Sequence, residues 1–192
     1  KDLEDFAYKQ LNDYQKDYFK KPHALNVDDF IEFYLGIKIQ FYVLSIDGSI
    51  LGKTALSNGK ICIINEKNEI DLRMIEKGSI IIDSKACKLE VRIRFTAVHE
   101  AFHSQYDLDL DQNLIDKNEV IQDTHITIGK AINVKKTMTA LDWVEHHADK
   151  YAVFILMPKK FVITLFNYYH KKYFSKNKRL SIHKPKRTWL LI

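Results

Sequence analysis

Cysteine is scarce in this chain. Only Cys62 and Cys87 occur in 192 residues, and they form no CxxC pair. That excludes a disulfide framework; both thiols are expected to be reduced and structural, as in a cytosolic protein. Glycine and proline are also few, at 6 and 3, and no low-complexity linker or internal repeat divides the chain. No apolar run is long enough to span a bilayer. The longest, Tyr151 to Phe166, is cut by Pro158-Lys159-Lys160. The opening "KDLEDFAYKQ" is mixed-charge and carries no signal-peptide pattern. Neither a membrane partner nor a secreted context is expected, and the localisation expected is cytoplasmic.

Acid is missing from one region altogether. Residues 159–192 hold 10 of the 30 Lys and Arg and none of the 25 Asp and Glu, so they carry +10 and the rest carries −5. The basic character belongs to the C-terminal end. Such a tail can touch nucleic acid or an acidic partner, or simply form a solvated helix face and a frayed end. What the chain does have is a 46% hydrophobic content beside 29% charge. That suits one globular domain with a sizeable core.

Apolar spacing predicts a helix over 2–20, through Leu3, Phe6, Ala7, Leu11, Tyr14 and Tyr18. Asn26 can cap a short helix from Val27 to Leu35, which Gly36 ends. "IKIQFYVLSI" reads as a strand, and so do residues 50–56, 60–65 and 78–83, with turns at Asp47-Gly48 and Asn58-Gly59. Helices are expected over 94–106, 140–157 and 159–174, and loop with short elements over 107–139. The fold class is α+β, a small twisted antiparallel sheet packed on a helical half. Residues 1–174 are expected to form one domain and 175–192 a basic tail.

The chemistry begins at "RFTAVHEAFHSQYD", residues 94–107. On a helix, His99 and His103 lie one turn apart on one face. Both can reach one metal ion. Glu100 lies 100° further round, beside the ion without being a ligand. Phe95, Val98 and Phe102 share the other flank and can anchor the helix. Two imidazoles for Zn²⁺ and a carboxylate base for water is the arrangement of zinc hydrolysis. The same five-residue string also occurs in helices that bind nothing.

A third ligand is needed, with an open position left for water. Asp109 has the spacing of the compact HExxHxxGxxH type, but Tyr106 occupies the glycine position where that motif turns sharply. The other option is "LDWVEHHADKYAVFILMP", 141–158. Leu141, Val144, Ala148, Ala152 and Ile155 form an apolar stripe. Glu145 and Asp149, four apart, face the same way beside it. Glu145 suits a ligand, and Asp149 suits an acceptor for the free ring N–H of a ligating histidine. His₂Glu favours Zn²⁺, one per chain, over Mn²⁺.

The two segments together resemble the ImmA/IrrE family of zinc-dependent metallopeptidases. Arg94, Phe95, Thr96, His99, Glu100 and His103 match its R-F-T-x-A-H-E-x-x-H motif. Glu145, Ala148, Asp149, Tyr151 and Ala152 match its E-x-x-A-[DN]-x-[FY]-A motif, and Leu156, Met157 and Pro158 match the L-[LM]-P that closes it. The step "DDFIEFYLGIKIQFY" and the "GSIIID" before the HExxH segment are also similar. The likeness spans about residues 25–165. Val98, Phe102 and His146 depart from the usual Ala, smaller residue and Gln, and nothing after 175 matches. The resemblance implies a cytoplasmic, gluzincin-like peptidase that cleaves a helix-turn-helix repressor. This chain has no such segment of its own, so the repressor would be a separate DNA-binding protein.

Peptide hydrolysis also needs an oxyanion donor. His146, His125, Tyr106 and Tyr151 are the candidates, His146 being the one beside a ligand. His170 and His183 read as surface. Two rival functions stand beside the peptidase. One is a metal-binding regulatory module that is silent or gated, although an intact Glu100 argues against loss of catalysis. The other is nucleic-acid contact through Tyr168, Tyr169, Tyr173, Phe174 and Trp189, which interleave with Lys and Arg. At those spacings the aromatics also suit helix core.

Overall fold

The computed structural model describes residues 2–106 and 139–174. Helix α1 (Asp2–Tyr14) is followed by a 3₁₀ turn (Tyr18–Lys20) and a π-helical segment (Asp29–Tyr34). Five strands come next: β1 (Ile39–Tyr42), β2 (Gly52–Thr54), β3 (Gly59–Ile64), β4 (Ile70–Ile75) and β5 (Ile80–Asp83). Helices α2 (Glu90–Tyr106), α3 (Ala140–Leu156) and α4 (Lys159–Phe174) complete the order. The α+β class expected from the sequence is the class observed.

The sheet differs in pairing from the antiparallel one expected. Strands run in the order β1-β5-β2, with β1 parallel to β5 and β2 antiparallel to it. Strands β3 and β4 form a separate antiparallel pair. The cause is insertion: the later strand β5 slots between β1 and β2, and no local turn rule reports such a pairing. Strand β4 was not among the expected strands, although Ile70 to Met74 alternates apolar and polar residues. Ile70, Leu72 and Met74 face solvent, and only Ile75 is buried.

Strand β5 is the hinge of the packing. Its residues Ile80, Ile81 and Ile82 are all fully buried. Successive side chains point to opposite faces. Ile80 and Ile82 join the main core with α1, α2 and α3, while Ile81 joins a smaller core with Leu44, Ile50, Ile61 and Ile75. That is why "GSIIID" has no polar alternation. Asp83, at its end, is buried, and its carboxylate accepts from the amides of Leu44, Ser45, Lys85 and Ala86.

The first helix stops earlier than its apolar spacing suggests. It ends at Tyr14, and Asp17 adopts a left-handed φ of 61° before the 3₁₀ turn. Asn26 does begin the next helical segment: its carbonyl O accepts from the Phe30 amide at 3.0 Å. Gly36, at φ 70°, ends it as expected. Cys87 is buried and Cys62 exposed, and both are free thiols.

Helix α4 departs most from expectation. Phe161 is buried against Tyr18, Phe19 and His23. Beyond it, Phe166, Tyr168, Tyr169, Tyr173 and Phe174 are exposed, so these aromatics are not helix core. His170 is exposed as well, as read from the sequence. The tail 175–192 and residues 107–138 of the segment expected as loop over 107–139, with Asp109 and His125, lie outside the described residues. Among the described residues no helix is long and apolar enough to cross a membrane.

Candidate metal centre

Helix α2 is buried along an unbroken run from Thr96 to Ser104. A helix buried all round lies in a core, and polar side chains there need partners. Small residues make this possible: Ala97 and Ala101 are buried in the main core beside Val98 and Phe102. The helix therefore carries His99, Glu100 and His103 into the interior, with exposures of 1%, 2% and 5%.

Helix α3 brings the other carboxylates. Its start is fixed by a capping box: Thr139 Oγ1 accepts from the Asp142 amide at 3.1 Å, and Asp142 accepts from the Thr139 amide at 2.8 Å. Ala148, Tyr151, Ala152 and Ile155 are fully buried. These two constraints set the rotation of α3 and turn Glu145 and Asp149 toward α2. Val144 is half-buried at the edge of this stripe.

The ligand atoms converge. His99 Nε2 and His103 Nε2 are 3.0 Å apart. Glu145 Oε2 lies 3.2 Å from His99 Nε2, and Oε1 lies 3.6 Å from His103 Nε2. One ligand atom from each of the three residues lies within 4.8 Å of the others. Asp149 Oδ1 lies 3.1 Å from His99 Nδ1. When His99 donates from Nδ1 to Asp149, its Nε2 presents a lone pair to a second imidazole and a carboxylate. Convergent lone pairs beside negative charge call for a cation, so the donor set fits a metal ion. This buried cluster of His99, His103 and Glu145 could hold one. Glu145 is about one-third exposed, which leaves the centre open on the α3 side.

The charge state follows from the same contacts. Burial alone would push the His99 imidazole down. Hydrogen bonds to Asp149 and Glu145, with the nearby Glu100 charge, outweigh it and raise it to about 9. Burial raises the Glu100 carboxyl, against the pull of His103, His99 and a hydrogen bond from Thr54.

The oxyanion candidates separate. Tyr151 is fully buried and its hydroxyl donates to Gln10 Oε1 at 2.5 Å. The Tyr106 ring packs on Phe6 and Phe102. His146 is exposed, with its ring against Trp143 and His147 rather than in the ligand cluster.

Two residues of the site were not anticipated. Thr54 and Gly52 of β2 both lie against Glu100. No local pattern marks them, because they meet α2 only through tertiary packing. No family model, curated relative or solved structure matches the chain.

Proposed function

We propose that this chain is a zinc-dependent endopeptidase of the ImmA/IrrE type. The observation that carries the reading is the convergence of His99, His103 and Glu145, with Glu100 buried beside them and not among the ligands. A pure binding site has no use for that extra carboxylate. Zn²⁺ suits the His₂Glu donor set better than Mn²⁺.

In this reading the two histidines and Glu145 hold the ion, and Asp149 fixes the His99 ring. Zinc so held supplies Lewis acidity, which makes a water more acidic and a carbonyl more electrophilic. Glu100 accepts the proton of the attacking water. The water oxygen bonds to the carbonyl carbon, the C–N bond breaks, and Glu100 returns the proton to the leaving amine. Burial makes Glu100 more basic, which suits that role. The substrate is a protein, in the resemblance a separate helix-turn-helix repressor met in the cytoplasm.

The test compares zinc-loaded wild type with Glu100→Gln on a proteome-derived peptide library and on candidate repressors. New N-termini are read by mass spectrometry. Termini found with wild type and not with the variant support the reading; none in either sinks it.

A second reading has its own observation. Tyr168, Tyr169, Tyr173 and Phe174 are exposed beside Lys171 and Lys172, as single-stranded nucleic-acid contact needs. A labelled oligonucleotide whose shift fades with salt tests it; no shift at low salt rejects it.

A further inference from the structure

We propose that Thr54 is a positioning residue for Glu100, holding the orientation of its carboxylate from the edge strand β2. The geometry stands by itself; the catalytic consequence rests on the peptidase reading above.

Thr54 is buried, and its Oγ1 lies 2.8 Å from Glu100 Oε2 and 2.9 Å from the Glu100 carbonyl oxygen. Gly52 and Thr54 pair with Ile82 and Ile80 of β5 and point to the same face of the strand. That face meets α2. At Gly52 the backbone comes so close that an added Cβ would lie 3.0 Å from Glu100 Cγ and 3.1 Å from Oε1. The strand therefore packs one side of the carboxylate with bare backbone and grips the other with a hydroxyl.

The type of partner matters. A lysine or arginine in place of Thr54 would hold the carboxylate as firmly, but would favour the ionised form and weaken the base. A neutral hydroxyl fixes direction at a smaller cost in basicity. It also has one proton and two acceptors within reach. It donates to Oε2 while that oxygen is bare, and it can turn to the backbone carbonyl when Oε2 is not available to accept. Glu100 thus keeps a partner whichever way the hydroxyl points. Positioning is worth much in such a site, since a displacement of about 1 Å can cost roughly 100-fold in rate.

The experiment uses full-length zinc-loaded protein as wild type, Thr54→Ser and Thr54→Val. Zinc content, crystal structures and kinetics on the peptide library are measured together. Thr54→Val should keep about one zinc per chain, by the three-ligand count. Its kcat should fall roughly 10–100-fold with KM changed less than about twofold. Its Glu100 should be rotated or split over two orientations. Thr54→Ser, which restores the hydroxyl, should stay within about threefold of wild-type kcat and keep the single orientation. If the valine variant does not fold, Thr54→Ala takes its place. Wild-type Glu100 orientation and kcat without the hydroxyl overturn the proposal. If no variant and not even wild type cleaves the library, the peptidase reading has failed. The crystal structures then still decide whether Thr54 orients Glu100.

Discussion

His99 and Asp149 meet at 3.1 Å, Nδ1 to Oδ1, although they stand 50 residues apart on different helices. Asp149 is about half-exposed and His99 is buried, so the pair joins the solvent edge of α3 to the interior of α2. The contact turns the opposite ring nitrogen, Nε2, toward His103 and Glu145. Asp149→Ala should weaken metal affinity roughly 10–100-fold, the usual effect of losing such a partner. Asp149→Asn keeps an acceptor oxygen and should lose less. Chelator competition measures both; unchanged affinity in both makes Asp149 a bystander.

Ligand and base should come apart by mutation. Glu145→Ala, His99→Ala and His103→Ala should each lower zinc content sharply from about one per chain. Glu100→Gln should leave zinc content intact and abolish cleavage. Full zinc in Glu145→Ala would mean that another residue, such as Asp109, supplies the third ligand.

Proton and metal compete for His99. Its raised value, about 9 against an ordinary 6.5, belongs to the folded protein without metal. A raised imidazole contributes stability below about 6.5, and that contribution is lost as pH climbs through about 9. Chelator-stripped protein should therefore melt lower at pH 9 than at pH 6.5 by this contribution. Apparent zinc affinity should move the opposite way, rising across the same range as the proton leaves. A flat affinity over that window would show that His99 carries no such proton.

The closeness of β2 to α2 sets a steric limit. A Cβ added at Gly52 would lie 2.6 Å from Thr96 Cγ2, far inside contact distance. Gly52→Ala should cost about 1–3 kcal/mol in urea unfolding, the range for overpacking a core. A variant as stable as wild type would mean that strand and helix can part freely.

The acid-free tail gives a salt-dependent prediction. A chain ending at Phe174 should keep its metal yet cut a protein substrate more slowly at low salt. The deficit should shrink as salt screens charge, over a Debye length of about 8 Å at physiological strength. Loss of zinc on truncation would place the tail in the core instead.

The metal centre was legible in the sequence for a simple reason. His99 with His103, and Glu145 with Asp149, are pairs four apart, and helical period alone puts each pair on one face. Joining the two pairs needed the count of zinc ligands and a resemblance of motifs, and the structure brings the two pairs together. Thr54 and Gly52 were not legible. They reach Glu100 from 46 and 48 positions away, by strand-on-helix packing that leaves no periodic trace. The parallel pairing of β1 with β5 was hidden likewise, since hairpin turns announce only neighbours. The aromatics of α4 misled for the opposite reason: helical spacing says which residues share a face, not whether anything covers it.

An ion bound by α2 and α3 would have a topological role besides its chemical one. It would tie His103 to Glu145 and so act as a reversible cross-link between two distant points of the chain. Closure entropy grows only with the logarithm of loop length, about 0.6 kcal/mol for each doubling. The number of residues between the two ligands therefore sets the closure cost only weakly, provided the clasp is kept. A change in that number should cost far less than a single methyl group added at Gly52 of β2, which would meet Thr96 Cγ2 at 2.6 Å.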